Sequence, residues 1–393
     1  MSLAGYEIFA LIGFFFAAYA VIANDSIQTL GTFLASNSHR PWWALWLFAA
    51  GIMVAALLFQ LFFGGGDIAD GKLNPIPYPE GGIQWWHALP PIVLLFLTRF
   101  GIPVSTTFLV LTVFALSGGS ATEGVMSRML IKSLTGYVVA FAAGAVVWII
   151  ISRMWEVWVG RTRDDDERLH PAWTLFQWAT TGFLWWTWLL QDFANIFVFM
   201  PRETTTVTTE PSGDGTTALQ TTTVQSSGEI TSVSTSVVEI PSEIQGDERL
   251  LAEFLDASIS VSFASEIIIG GALLMAAMMA YIFKTRGGEI QKIVLSKTHT
   301  TDVRAATIVD LIYAIVLFYF KELNDVPMST TWVFLGLLAG REMAISFVTA
   351  LRERGAAIMD VSSDAGRALI GLVISVILAV GMPWAATGQM PTF

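Results

Sequence analysis

The sequence predicts an all-α polytopic membrane protein built from two inverted-topology repeats, each with broken or re-entrant half-helices. Three observations support this fold class: the apolar composition, the length of the apolar segments, and the recurrence of two motifs in each half. Of 393 residues, 54% are apolar and 13% are charged, which is too apolar for a soluble chain of this length. Segments such as 42–63 can cross about 30 Å of hydrocarbon as helices, whose backbones satisfy their own hydrogen bonds.

The apolar segments are arranged as two similar series on either side of a charged loop, RTRDDDERLH, at 161–170. Long and short segments follow the same order in both series, which is typical of an internal repeat. The predicted segments are 5–23, 26–36, 42–63, 86–101, 104–117 and 128–152 before the loop, and 171–191, 193–201, 260–284, 304–322, 327–349 and 366–387 after it.

The second repeat contains an insertion at 203–257. Asp25 precedes Pro103 by 78 positions and Asp192 precedes Pro327 by 135, and the insertion accounts for nearly all of the difference of 57. Its dense Thr, Ser and Val residues predict a small β lobe, with a disordered, solvated loop as the alternative. The predicted domains are therefore a transmembrane repeat, a cytoplasmic linker, a second repeat and the insertion, at 1–160, 161–170, 171–202 with 258–393, and 203–257 respectively.

The distribution of basic residues predicts the orientation in a cell membrane (plasma or inner). Twelve of the 21 Lys and Arg residues lie in four short loops, at 37–41, 153–170, 285–304 and 351–367. The positive-inside rule places these loops in the cytoplasm and the insertion outside. The two repeats then have opposite orientations, provided that 86–117 and 304–349 each enter the membrane and turn back. In this scheme Arg128 and Lys132 lie near the outer surface.

A short motif with a proline and three hydroxyl residues occurs once in each repeat, as GIPVSTTFLV at 101–110 and DVPMSTTWVF at 325–334. Proline is favoured in the first turn of a helix and Ser or Thr at its cap, so half-helices are predicted from Val104 and Met328 onward. Helix N-termini bind anions. The candidate anion ligands are Ser105, Thr106, Thr107, Ser329, Thr330 and Thr331. The alternative is a proline kink whose hydroxyls bond back to the helix.

Buried acids form the second recurring feature. Asp25 and Gln28 are three residues apart, as are Asp192 and Asn195, so each pair shares a helix face. Carboxylate and amide oxygens suit a hard cation such as Na⁺, and a protonated Asp would instead carry H⁺. Solvated helix ends are the alternative.

Two basic residues near the prolines, Arg99 and Lys321, could compensate the charge of an anion. Structural ion pairs or long side chains reaching toward water are the alternative for both.

Composition excludes several other classes. The chain has no Cys, and its four His residues, His39, His87, His170 and His299, form no metal-binding spacing. The net charge of −11 argues against nucleic acid as a partner. No nucleophile–base pair or metal cluster is evident in the apolar segments, so neither an enzyme nor a resident cofactor is predicted.

The stretches NDSIQTLGT (24–32), GIPVSTTF (101–108), DFAN (192–195) and VPMSTTW (326–332) resemble the inorganic phosphate transporter family, PiT, also called the solute carrier 20 type. The resemblance implies Na⁺- or H⁺-coupled uptake of phosphate, with a sulfate-carrying branch. Asn24, Asp25, Asp192 and Asn195 match its motif residues, as do the hydroxyl triplets. The chain departs from the family at Gln28 and Gln191, where Asn is expected, and at Phe108 and Trp332, where His is expected.

Together these features predict a Na⁺-coupled phosphate symporter that works by alternating access, because inverted repeats with broken helices are typical of secondary transporters. The alternatives are an H⁺-coupled carrier of sulfate or another oxyanion, and a non-transporting channel or receptor-like protein on the same fold. The expected partners are phosphate, Na⁺ or H⁺ and the lipid bilayer, and a homodimer is left open.

Overall fold

Apolar helices make up most of the computed structural model. It describes residues 2–3, 6–99, 102, 104–117, 124–162, 171–212, 216–241, 243, 248–285, 303–348, 353–388 and 390. Among these residues, five helices are long and apolar enough to cross a membrane, and the bent first helix would be a sixth. The predicted class of helical membrane protein is therefore confirmed, with the addition of a small sheet.

Within the described residues, the first half contains five α-helices after a short N-terminal hairpin of β1 (Ser2–Leu3) and β2 (Tyr6–Glu7). A 3₁₀ turn at Trp85–Ala88 precedes the third helix. The helices are α1 (Ile8–Ser36), α2 (Trp42–Phe62), α3 (Leu89–Arg99), α4 (Thr106–Ser117) and α5 (Val125–Thr162).

The second half contains the corresponding long helices and one short helix in the insertion. They are α6 (Pro171–Phe197), α7 (Glu248–Leu255), α8 (Ser265–Lys284), α9 (Val303–Leu323), α10 (Thr330–Val348) and α11 (Arg354–Thr387). The last helix begins twelve residues before the predicted segment at 366–387, because its amphipathic first turns contain charges that a hydropathy pattern leaves out.

One predicted break coincides with a bend and one is wrong. The segments 5–23 and 26–36 correspond to the two parts of α1, Ile8–Asn24 and Thr29–Ser36, which are inclined by 50°. The segments 171–191 and 193–201, in contrast, belong to one helix that is continuous through Asp192, and α6 ends at Phe197. Polar residues do not interrupt α6 because neighbouring hydroxyls and amides satisfy them inside the bundle.

The inserted segment forms most of a four-stranded antiparallel sheet in the order β5-β4-β3-β6. Its strands are β3 (Glu203–Pro211), β4 (Thr217–Ser226), β5 (Glu229–Glu239) and β6 (Ser258–Ser262). The last strand was expected to begin the segment 260–284. Instead it pairs with β3, with Val261 opposite Thr204, so α8 starts only at Ser265.

Each helix that begins at a triplet packs on a long helix of the other half: α4, which has 12 residues, packs on α11, and α10, which is long enough to cross a membrane, packs on α5. The second contact is very close. A Cβ added at Gly336 or Gly340 of α10 would overlap the backbone oxygen of Tyr137 or Phe141 of α5. Glycines let two helix backbones approach in this way. Packing of these helices on the other half is what an internal repeat predicts. The opposite orientation of the two copies stays a prediction.

Candidate functional site

The two hydroxyl triplets begin their helices in the same way. The Ser105 Oγ accepts the backbone N–H of Phe108 at 3.2 Å, and the Ser329 Oγ accepts that of Trp332 at 3.2 Å. Each serine is thus the N-cap of its helix. The helices start at Thr106 and Thr330, two residues later than expected from the prolines.

The two half-helix starts meet inside the protein. The Thr107 hydroxyl of the first triplet donates to the Met328 carbonyl oxygen of the second motif at 3.1 Å. All six triplet residues are buried, and none is more than 4% exposed. The structure therefore brings together the six hydroxyl residues that the sequence analysis selected.

Backbone donors are available at this meeting point. The first N–H groups of a helix have no intrahelical partner. The Ser329 N–H is taken up by the Ser133 Oγ at 2.8 Å. Within the described residues, no acceptor is found for the N–H groups of Thr106, Thr107, Thr330 and Thr331. Four backbone donors and several hydroxyls thus suit an oxyanion.

Asp192 and Asn195 of α6 lie directly beside the triplets. The Asn195 Nδ2 donates to Asp192 Oδ1 at 2.6 Å and to the Thr106 and Thr107 hydroxyls at 3.2 and 3.3 Å. The Thr330 hydroxyl donates to Asp192 Oδ2 at 2.9 Å. One acid and one amide therefore connect the first triplet with the second, at a spacing of three residues on one helix face.

The Asn195 Oδ1 atom is buried and has no hydrogen-bond partner among the described residues. Buried polar atoms are normally satisfied, so an unsatisfied one at a site requires an explanation. A hard cation prefers amide and carboxylate oxygens. Asn195 Oδ1 and the Asp192 carboxylate together offer such oxygens.

Two aromatic rings from the residues that follow the triplets pack near each other. Phe108 and Trp332, which follow the triplets, have ring centroids 5.9 Å apart and are 2% and 8% exposed. These are the positions where the resemblance leads one to expect His. An aromatic pair stands at these positions, and neither ring offers a hydrogen-bond acceptor to a ligand.

Some predicted site residues cannot be placed beside the triplets. The side chains of Asp25, Gln28 and Arg99 and all of Pro103 lie outside the described residues. Asn24 is buried in α1. The Lys321 ammonium pairs with the carboxylates of Asp70 and Glu322. Lys321 therefore forms structural ion pairs, which is one of the alternatives predicted for it.

Two other lysines, Lys72 and Lys132, hold the segment that leads into the second triplet. The Lys132 Nζ donates to the Asn324 carbonyl, the Asn324 Oδ1 and the Val326 carbonyl, at 3.0, 2.8 and 2.8 Å. The Lys72 Nζ donates to the carbonyls of Lys321 and Asn324 at 3.0 and 2.9 Å. We call Lys72 and Lys132 the lysine clamp. It fixes the backbone three to eight residues before Ser329.

Acidic residues surround the clamp in the loop after α2. The Asp67 carboxylate accepts the N–H groups of Ala69 and Gly71. Burial, with the charges of Asp70 and Asp325, raises the pKa of Asp67 to about 6, against the lowering effect of its two backbone donors. Burial also disfavours the charged form of Lys72 and lowers its pKa, although the negative charges of Asp325 and Asp70 oppose this shift.

Sequence reasoning missed Lys132, Ser133 and Asp310. The last is a buried acid of α9 that contacts Thr32 and Thr181. Lys132 and Asp310 could have been selected from the sequence, because a lone charge within an apolar segment is costly in a membrane and marks a functional position. Nothing in the sequence marked Ser133, whose hydroxyl is one of many on apolar helices.

Comparisons with known proteins support the fold. No family model matches the chain, and no curated protein is similar in sequence. The structure is similar to a solved one named "The sodium-dependent phosphate transporter", with a TM-score of 0.54 and 13% sequence identity, over 98% of this chain and 99% of that chain. The similarity shows that this chain has the fold of a transporter.

Proposed function

We propose that the chain is a secondary active transporter of inorganic phosphate, coupled to Na⁺. The observation that carries this proposal is the meeting of two hydroxyl triplets beside the buried Asp192–Asn195 pair, with backbone N–H groups that have no acceptor among the described residues. Donors suit a tetrahedral oxyanion and the oxygens suit Na⁺. The similar solved protein is named for the same two species, sodium and phosphate.

In the proposed cycle, Na⁺ binds first to the Asp192 carboxylate and the Asn195 Oδ1. Its charge offsets that of the acid and lets a phosphate anion enter beside it. The anion accepts hydrogen bonds from the triplet hydroxyls and from the N–H groups of both half-helices. The halves then rearrange together and expose the loaded site on the other side of the membrane.

The test is uptake of radiolabelled phosphate and sulfate into proteoliposomes, under an inward Na⁺ gradient, an inward H⁺ gradient, or neither. We expect phosphate uptake that requires Na⁺. Asp192→Asn should lower it about 100-fold, because the neutral amide cannot compensate a cation. The matched control is Asp256→Asn, at an exposed acid of the inserted lobe, which should transport normally.

Each result has a defined meaning. Transport of neither anion would overturn the proposal in favour of a non-transporting membrane protein. Phosphate uptake that follows only the H⁺ gradient would replace Na⁺ as the coupling ion.

Sulfate is the second candidate, and the Phe108–Trp332 pair favours it. Monohydrogen phosphate can donate a proton to a ligand acceptor, whereas sulfate has no proton to donate. Because the two rings supply no acceptor, the site discriminates less against sulfate than a site with imidazoles would. Uptake of sulfate in preference to phosphate in the same vesicles would decide for it.

A further inference from the structure

A second carboxylate is buried in the bundle outside the site. Asp310 of α9 is 1% exposed. Its Oδ1 accepts the hydroxyl of Thr32 in α1 at 2.7 Å, and its Oδ2 accepts that of Thr181 in α6 at 2.6 Å. An acid in this position is costly in a membrane and is a functional position by default.

Asp310 has no charged partner within the described residues. Its contacts are the neutral hydroxyls of α1 and α6. The other neighbours of α9, the helices α5 and α10, place no titratable side chain against it. On α9 itself the nearest titratable residues are Tyr313, one turn away, and Arg304, six residues away. A proton would remove the uncompensated charge.

The geometry fits a proton better than a metal cation. The four oxygens contributed by Asp310, Thr32 and Thr181 are joined at 2.6 and 2.7 Å, which is the normal distance of an O–H···O hydrogen bond. A cation coordinated between these oxygens would have to push them apart. A protonated carboxyl keeps the same contacts, because a hydroxyl can accept as well as donate.

A short chain of contacts links Asp310 with the candidate site. Tyr313 lies one turn along the same face of α9, about 5–6 Å away between Cβ atoms. Its hydroxyl donates to the Thr330 carbonyl at 3.0 Å, and the Thr330 hydroxyl donates to Asp192 Oδ2 at 2.9 Å. A displacement of α9 that follows protonation of Asp310 would therefore move Tyr313 and, through its hydrogen bond, Thr330 of the second triplet.

A row of polar side chains leads from Asp310 to the end of α1. Ser36 lies one turn beyond Thr32, and Gln177 lies one turn before Thr181. The Gln177 Nε2 donates to the Ser36 Oγ at 2.5 Å, and the Asn37 Nδ2 donates to the Gln177 Oε1 at 2.9 Å. Arg40, which is partly exposed, donates to the Asn37 Oδ1 at 3.0 Å. This end of the bundle is the predicted cytoplasmic side.

We propose that Asp310 binds an exchangeable proton, which it receives and releases through the Ser36–Asn37–Gln177 row, and that its protonation biases the second triplet through Tyr313 and Thr330. Proton binding at Asp310 goes beyond the proposed function and needs no substrate. Its effect on transport rests on the proposed function.

The direct test is infrared difference spectroscopy of the full chain in lipid, recorded as the pH is changed without Na⁺ or phosphate. We expect a carboxylic acid carbonyl band that appears on acidification and is absent in Asp310→Asn. Asp192→Asn should keep the band, which separates the two acids. Thr181→Val removes a donor to the ionised carboxylate, so it should shift the band toward higher pH.

The outcomes are distinct. A spectrum that is the same in the wild type and Asp310→Asn at every pH would overturn the proposal, as would a Thr181→Val variant that titrates like the wild type. If the band is found but no anion is transported, the proposed function fails and proton binding stands. If phosphate is transported, Asp310→Asn should keep uptake but lose its dependence on cytoplasmic-side pH, and an unchanged dependence would overturn the coupling.

Discussion

The two hydroxyl triplets have the same caps but different surroundings. The first, Ser105–Thr107, contacts the neutral amide of Asn195. In the second, Thr330 donates to the Asp192 carboxylate, and the preceding backbone is held by the lysine clamp. Thr107 of the first triplet also has a hydrogen-bond contact with the Asp192 carboxylate, so both triplets reach this acid. A repeated motif therefore gives a shared fold of the first turn in different surroundings, and the backbone before the second triplet is the part held by charged side chains.

The largest expected effect tests this difference directly by removing one hydroxyl from each triplet. Thr330→Val loses a hydrogen bond to a charged group, worth about 1.5–3 kcal/mol, so kcat/KM for Na⁺-driven uptake should fall about 10- to 100-fold. Thr106→Val loses a neutral bond worth about 1 kcal/mol and should cost roughly fivefold. Thr180→Val is the control, because its hydroxyl bonds only to its own helix. Equal losses at 106 and 330 would contradict the comparison.

The lysine clamp gives the next largest effect. Lys132→Met leaves the Asn324 Oδ1 and the Val326 carbonyl oxygen without their charged donor, and leaves the Asn324 carbonyl to Lys72 alone, which should loosen the start of the second triplet. We expect KM for phosphate to rise about tenfold, a loss of about 1.4 kcal/mol, with a smaller change in kcat. Lys284→Met changes an exposed lysine at the end of α8 and should leave KM as it is. If both variants behave alike, the clamp does not position the triplet.

Substitutions at Phe108 and Trp332 test whether this aromatic pair affects the preference between phosphate and sulfate. Introducing Phe108→His and Trp332→His together would supply acceptors for the proton of monohydrogen phosphate. One additional hydrogen bond of about 1 kcal/mol should raise the phosphate-to-sulfate uptake ratio about fivefold. Competition of unlabelled sulfate against labelled phosphate measures this ratio. Trp332→Phe, which changes the ring without adding an acceptor, controls for the change in packing.

The smallest effect on transport is expected at Asp67, where stability is the better measurement. The folded-state pKa of Asp67 is raised from 3.8 to about 6, so the folded state binds this proton more tightly than the unfolded state does. The stabilisation is complete below the unfolded value and is lost as the pH rises through about 6. Asp67→Asn should flatten the dependence of Tm on pH in this window. A parallel curve for the variant would contradict this.

Prediction from the sequence succeeded where a residue pattern favours one local structure in a membrane. Two Pro-x-Ser-Thr-Thr motifs predicted two helix starts, and the long apolar segments predicted helices. It failed where the outcome depends on tertiary partners. Helix α6 is continuous through Asp192 because Thr330 and Asn195 donate hydrogen bonds to its carboxylate. These contacts depend on the folded helices and are not predicted by the local sequence. For Lys132 the sequence predicted only a place near the outer side of the membrane, because its acceptors lie almost two hundred positions away.

Strand β6 shows the same limit. Its five residues, Ser258–Ser262, adjoin an apolar helix and are themselves partly apolar. The predicted helical segment therefore began at 260 and included the last three of them. Their partner is β3, more than fifty residues earlier. Pairing at such a separation is decided by the folded sheet and not by the local pattern.

The glycine contact between α5 and α10 has a mechanical consequence. Backbones that touch at Gly336 and Gly340 have no side-chain layer between them that could be sheared, so neither helix can slide without a clash. The two helices will therefore travel as one rigid body, together with the clamp lysine and the serine that α5 supplies to the second triplet. An opening between the two triplets would have to break the Thr107–Met328 hydrogen bond and separate the Phe108–Trp332 pair.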